Sequence, residues 1–147
     1  MRQGSLFNLP PSLLPGTTGL AGLMPAIRAG MNRAASDYEP GRKQLVDDIN
    51  EVAKREAVAL TSGGGKRINI EQLDKWLQPG AAGHAPTFDA IMCFCRATSD
   101  FTPLEPLFTA LGLVAIPASE LRILEYGKEC LRIKKSKARM RALESDL

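Results

Sequence analysis

Residues 66–98 read KRINIEQLDKWLQPGAAGHAPTFDAIMCFCRAT, and the parsing of this stretch decides the fold. Asn69 is an N-cap residue type placed just ahead of Ile70, Leu73, Trp76 and Leu77, whose spacing sets them on one face of a helix over 69–78. Glu71, Gln72, Asp74, Lys75 and Gln78 cover the other face. Pro79-Gly80 stops that helix and a small-residue loop leads to Pro86. A second, mostly apolar helix is then expected over 87–98, with Phe88, Ile91, Met92 and Cys95 turned inward and Phe94 near the edge. Trp76 is the only tryptophan, and on this reading its indole is core, anchoring the short helix to its neighbours.

Upstream, a helix is expected over 20–35 with Leu20, Leu23, Ile27, Met31 and Ala34 on one face and Pro25 tolerable only in its first turn. Ser36–Gly41 breaks it. The next helix, 42–56, has the clearest amphipathic pattern: Leu45, Ile49, Val52 and Ala53 inside, Lys43, Asp47, Asp48, Glu51, Lys54 and Arg55 outside, with Glu51–Arg55 a favourable i,i+4 pair. The following AVALTSGGGKRIN (57–69) contains three consecutive glycines, which exclude a helix and predict a mobile tip. Although it ends GGGK, it is no phosphate-binding Walker loop, because Arg67 follows Lys66 where Ser or Thr is needed and no βαβ pattern surrounds it.

Downstream, Leu104, Leu107, Phe108 and Leu111 predict a helix over 103–111 that ends at Gly112. Leu113-Val114-Ala115-Ile116, closed by Pro117, is short, apolar and extended. A strand is expected there, pairing with the same segment of a second chain. Ser119 and Glu120 then open a long helix that fades at Ser145, in which Leu121, Leu124, Lys128 and Leu131 make a weak seam, too imperfect for a coiled coil.

The domain plan is therefore a flexible tail over 1–18, a compact helical domain over 19–112, and an oligomerisation segment over 113–147. The formal charge of +3 is mild, but its distribution is not. From Lys128 to Arg141 the chain carries Lys128, Arg132, Lys134, Lys135, Lys137, Arg139 and Arg141 against Glu129 alone. Cys93, Cys95 and Cys130 lack zinc-knuckle spacing and read as buried free thiols of a reducing compartment. The start, MRQGSLFNLPPSLLPG, is broken by prolines before an apolar segment develops, so no secretory leader is expected, and no run approaches membrane-spanning length. A cytoplasmic protein without membrane contact is expected. His84, the only histidine, sits in a Gly-Ala-Pro loop without a partner acid or cysteine, so no enzyme, cofactor or metal site is expected.

A short helix with a polar outer face, braced by an apolar one, is what a reader of the DNA major groove needs. Leu73-Asp74-Lys75-Trp76-Leu77, Pro86 before the next helix, and Phe94-Cys95-Arg96-Ala97-Thr98 ahead of PLEPLFTALG resemble the phage CII-type transcriptional regulators over about 20–116. These belong to the lambda-repressor-like helix-turn-helix fold. The resemblance implies an all-α, compact five-helix domain, here followed by the short strand and the long C-terminal helix. It also implies duplex DNA binding through the third helix, and homo-oligomerisation in a bacterial host cell carrying a phage or prophage, with RNA polymerase as a candidate partner. Where a helix-turn-helix has a turn of roughly three to four residues, this chain has residues 57–68: either the turn has grown into a loop or small wing that touches the backbone, which Lys66-Arg67 favour, or the DNA-reading surface has been lost.

On that reading Asn69 and Gln72 face adenine, Lys75 guanine and Glu71 cytosine, although the side chain of Asn69 is the better N-cap. Asp74 pairs with a base on the protein. Arg42, Lys43, Thr61, Ser62, Lys66 and Arg67 are candidates for phosphates, which set register rather than sequence. Leu113, Val114, Ile116, Leu121, Leu124 and Leu131 are the expected oligomerisation residues. The alternative function is a phage protein-interaction module, an antirepressor or host-factor inhibitor, on the same fold without DNA.

Overall fold

The structure is a computed structural model that describes residues 19–80 and 83–147, so the expected tail over 1–18 lies outside it. Among the described residues the chain is all-α, with helices α1 (Leu23–Asp37), α2 (Arg42–Glu56), α3 (Ile70–Leu77), α4 (Phe88–Thr98), α5 (Glu105–Ala110) and α6 (Leu121–Ser145). Each expected helix forms, and the shifted ends have local causes. The start expected at residue 20 is a 3-10 turn, Leu20–Gly22, so that Pro25 falls in the first turn of α1. The start expected at 103 is likewise a 3-10 turn, Thr102–Leu104, held by Asp100 Oδ1, which accepts from Thr102 N at 2.9 Å and Thr102 Oγ1 at 2.7 Å. In α2, Arg55 lies 3.7 Å from Glu56 instead of pairing with Glu51.

The strand expected at Leu113–Ile116 does not form, and no strand occurs among the described residues. The backbone explains why. Gly112 adopts φ 70° and closes α5, and the Leu113 amide is spent on Phe108 O at 2.8 Å while the Gly112 amide bonds Thr109 O at 3.0 Å. Pro117 has no amide to give. Only three residues are left between them, with no neighbouring edge to pair with, and Leu113, Val114 and Ile116 are exposed.

The chain divides into two units, Met1–Val114 and Ala115–Leu147. In the first, α1 packs on the Thr102–Leu104 turn, α5 and α3, while α2 packs on α4 and α3. Met31, Leu45, Ile49, Leu60, Leu73 and Phe94 are completely buried, each contributing about 1.5–3 kcal/mol of apolar burial. Trp76 is core as expected, 5% exposed. Gly30 lets α1 approach the Thr102–Leu104 turn: a Cβ there would stand 3.0 Å from Pro103 Cα, against backbone that cannot swing away. Cys93 and Cys95 are buried free thiols, and burial pushes the Cys95 thiol up to about 11 and raises that of Cys93. Cys130 departs from the expectation, being exposed on α6. The second unit holds a 3-10 turn, Ala118–Glu120, and α6, neither of which has a buried residue.

The α1–α2 corner turns on Gly41, whose φ of 89° suits glycine, with Gly41 N donating to Tyr38 O at 3.1 Å. The Tyr38 hydroxyl donates to Asp48 Oδ2 across the corner, and Gln44 Nε2 donates to Asp48 Oδ1 at 2.9 Å. The hydrogen bond to Asp48, then burial and the carboxylate's charge, push the Tyr38 phenol up to about 12 from 10.0. A raised pKa means that the neutral phenol stabilises the fold: its contribution is complete below pH 10 and is lost as the pH rises through about 12. Urea unfolding followed by Trp76 emission should therefore show stability falling over that window, and the fall should be smaller in Tyr38→Phe.

Candidate nucleic-acid interface

The surface around α3 is built from both ends of an eight-residue helix, too short to persist alone. At its start Asn69 and Gln72 form a capping box: Gln72 N donates to Asn69 Oδ1 at 2.9 Å and Asn69 N to Gln72 Oε1 at 3.0 Å. At its end a guanidinium from α1 takes over. Arg28 is 3% exposed, and its Nε donates to Trp76 O at 2.8 Å and its Nη2 to Lys75 O at 2.5 Å, satisfying carbonyls that the last turn leaves open.

The connection over 57–68, expected to carry a mobile tip, is a closed turn pinned at both ends. Ala57, at φ 56°, terminates α2 through bonds to Ala53 O and Lys54 O. Leu60 is fully buried, its amide bonds Gly65 O at 2.7 Å, and its carbonyl accepts from Thr87 Oγ1 at 3.4 Å, while the same hydroxyl caps α4 by accepting from Ala90 N at 3.1 Å. Thr61 Oγ1 accepts from Gly65 N at 2.8 Å, and Gly64 N bonds Thr61 O at 3.0 Å. At the far end, the buried amide of Asn50 in α2 grips Ile68 in both directions: Nδ2 donates to Ile68 O at 3.0 Å and Oδ1 accepts from Ile68 N at 2.8 Å. The side chain does for Ile68 what a neighbouring strand would do.

Seven of the ten sequence candidates fall into three groups, and Lys43, Asn69 and Glu71 line none of the three clefts. Thr61, Ser62, Gln72 and Lys75 line one cleft of about 250 Å³ with Trp76, His84 and Thr87. Lys66 and Arg67 line another, of about 350 Å³, where Lys54 of α2 joins them. Arg42 belongs to a third, held by Asp74 at 2.5 Å, which bears out the expectation that Asp74 pairs with a base on the protein. Lys43 is exposed on the first turn of α2, and Lys75 stands 3.3 Å from Glu71 in an exposed i,i+4 pair. The capping box narrows what the helix can offer. Gln72 already has its carbonyl on Asn69 N, which ties that acceptor to the helix start, and bidentate reading of adenine needs donor and acceptor together. Ile70, expected on the apolar face with Leu73, Trp76 and Leu77, is 46% exposed, and with Glu71 it forms the outward side of the first turn.

Sequence reasoning missed Lys54, Asn50 and Arg28. Asn50 carried a signal: with Val46 and Ala53 it lies at i, i+4 and i+7 on the inner stripe of α2, where an amide must find partners. No cluster of His, Cys, Asp and Glu suited to a metal occurs among the described residues, and no described helix is long and apolar enough to cross a membrane. No family model, curated protein or solved structure matches the chain.

Asn50→Leu keeps the branched outline of the side chain but strips Ile68 of both partners. It should cost about 2–6 kcal/mol, since each of the two buried backbone groups left unpaired costs about 1–3 kcal/mol. Chemical denaturation monitored through Trp76 measures it.

Proposed function

We propose that the chain is a sequence-specific double-stranded DNA-binding transcriptional regulator of phage or prophage origin, acting as a homo-oligomer and built on a five-helix, lambda-repressor-like helix-turn-helix domain. The observation that carries the reading is the cation set at the foot of a braced short helix: Lys54, Lys66 and Arg67 share one cleft and none enters an ion pair among the described residues. Cations held without counter-charges suit a polyphosphate backbone, which releases its own condensed ions on binding. In this reading α3 enters the major groove by its first turn. Glu71 and Lys75 open their mutual pair to meet base edges, and Ile70 gives an apolar contact of the kind a thymine methyl accepts. Thr61 and Ser62, at the tip of the 57–68 turn, join the phosphate contacts. RNA polymerase remains a candidate partner through the resemblance to CII-type regulators.

A second reading has its own observation. Phe88 and Met92, expected to turn inward, are instead exposed one turn apart on α4, an apolar pair that suits a protein partner and the antirepressor or host-factor-inhibitor alternative. A bandshift on random-sequence DNA at low salt separates the two, because the interaction module shifts nothing.

If DNA is the ligand, Lys66→Ala with Arg67→Ala should weaken binding to every sequence alike and lower the slope of log K against log salt by about 2, close to one per lost phosphate contact. Lys75→Ala should instead cost about 1–3 kcal/mol on the site selected from a random pool and little elsewhere. Equal losses on selected and random DNA from both variants would remove α3 as the reader.

A further inference from the structure

The formal charge of +3 belongs entirely to the second unit. Residues 1–114 carry eleven lysines and arginines against eleven aspartates and glutamates, whereas 115–147 carry eight against five. The acids of the second unit gather toward its ends, and none stands between Arg132 and Arg141. Arg132 pairs with Glu129 at 3.2 Å, while Lys128, Lys134, Lys135, Lys137, Arg139 and Arg141 enter no ion pair among the described residues. Lys128–Arg132, Lys135–Arg139 and Lys137–Arg141 are like-charged i,i+4 pairs, each of which weakens the helix that holds it. An array of this kind calls for a polyanion.

Its geometry selects which one. At 3.6 residues per turn, Lys128, Arg132, Lys135 and Arg139 form one row along α6, and Lys134, Lys137 and Arg141 form another on the opposite side. A helix that lies on a membrane gathers its cations on one side and its apolar residues on the other. Here either orientation would press a cationic row into the lipid. A flat acidic surface would meet one row and leave the other unused. A groove with two anionic walls meets both. We propose that the stretch from Lys128 to Arg141 lies lengthwise in the major groove of duplex DNA, each row against the phosphates of one strand. The groove is about 12 Å wide, and a helix with its side chains measures about 10–12 Å. The major groove of duplex RNA is too narrow to admit it. A single strand offers one backbone and binds by stacking on aromatic rings, of which residues 128–141 have none. The stretch is about 20 Å long, enough for about six base pairs. Its contacts go to phosphates and carry no sequence preference.

This contact goes beyond the reading of α3 and does not rest on it. Titration of the full chain with a random-sequence duplex at several salt concentrations tests it. Lys128→Gln, Lys135→Gln and Arg139→Gln together should lower the slope of log K against log salt by about 3, near one per lost phosphate contact. Lys134→Gln, Lys137→Gln and Arg141→Gln together should lower it by about as much. Glutamine keeps the helix propensity, and unchanged Trp76 emission reports that the first unit is intact. A loss from one row only overturns the groove, and a loss from neither overturns the contact. The same substitutions should cost less on duplex RNA and on phosphatidylserine vesicles, and a loss as large on either assigns the stretch to that partner instead. With both sets combined, any remaining shift of random DNA belongs to the first unit. The bandshift that separates the two readings of that unit is therefore run in the combined variant, where each interface fails or stands alone.

Discussion

Two carbonyl oxygens at the end of α3, Trp76 O and Lys75 O, are held by the buried guanidinium of Arg28, and the first unit is arranged so that this can happen. A helix of two turns has almost as many open backbone groups as closed ones, so its position is fixed from outside or not at all. Here α1 supplies the clamp at the carboxyl end, and α2 supplies Asn50 for the residue just before the amino end. The capping box closes two of the amides at that end, those of Asn69 and Gln72. The apolar face of α3 then sinks Leu73, Trp76 and Leu77 between the same two helices. Polar bonds thus set the register of the helix, while burial provides most of the free energy that keeps it there.

The same division of labour governs the connection between α2 and α3. A stretch with three glycines has little to bury and much chain entropy to lose. It is nevertheless ordered, because Leu60 and Ile68 are buried on either side of it and each has a side chain from a neighbouring helix on its backbone. The cations Lys66 and Arg67 therefore stand on a supported arm next to Lys54, and Thr87 ties that arm to the first turn of α4.

Helices were legible wherever an apolar stripe recurred at helical spacing, which is why α2 and α3 lie where Leu45 and Leu73 put them, whereas in α4 the inward face is turned: Phe94, expected near the edge, is fully buried, and Phe88 and Met92, expected inside, are exposed. What stayed hidden was polar and long-range. Arg28 follows Ile27 directly, and nothing local says that its guanidinium points inward to a helix 47 residues later. Leu113–Ile116 reads as a strand by composition, but its fate was decided by a hydrogen bond from Leu113 back into α5. Of the candidate interface, the residue types were visible in the sequence, but their division among three clefts depends on how the 57–68 turn folds back.

The tip of that turn has a practical meaning. Gly63 and Gly64 face open space, while the anchoring bonds sit at Leu60, Thr61, Gly65 and Ile68 on either side. Chain can be added between Gly63 and Gly64 by giving up one turn bond, Gly64 N to Thr61 O, and lengthening a surface loop carries only a slowly growing entropic cost. This position is a natural port for a fluorophore tag or a grafted epitope: the host helices keep their packing while the passenger stands beside α3, where it would report on, or sterically block, whatever approaches that face.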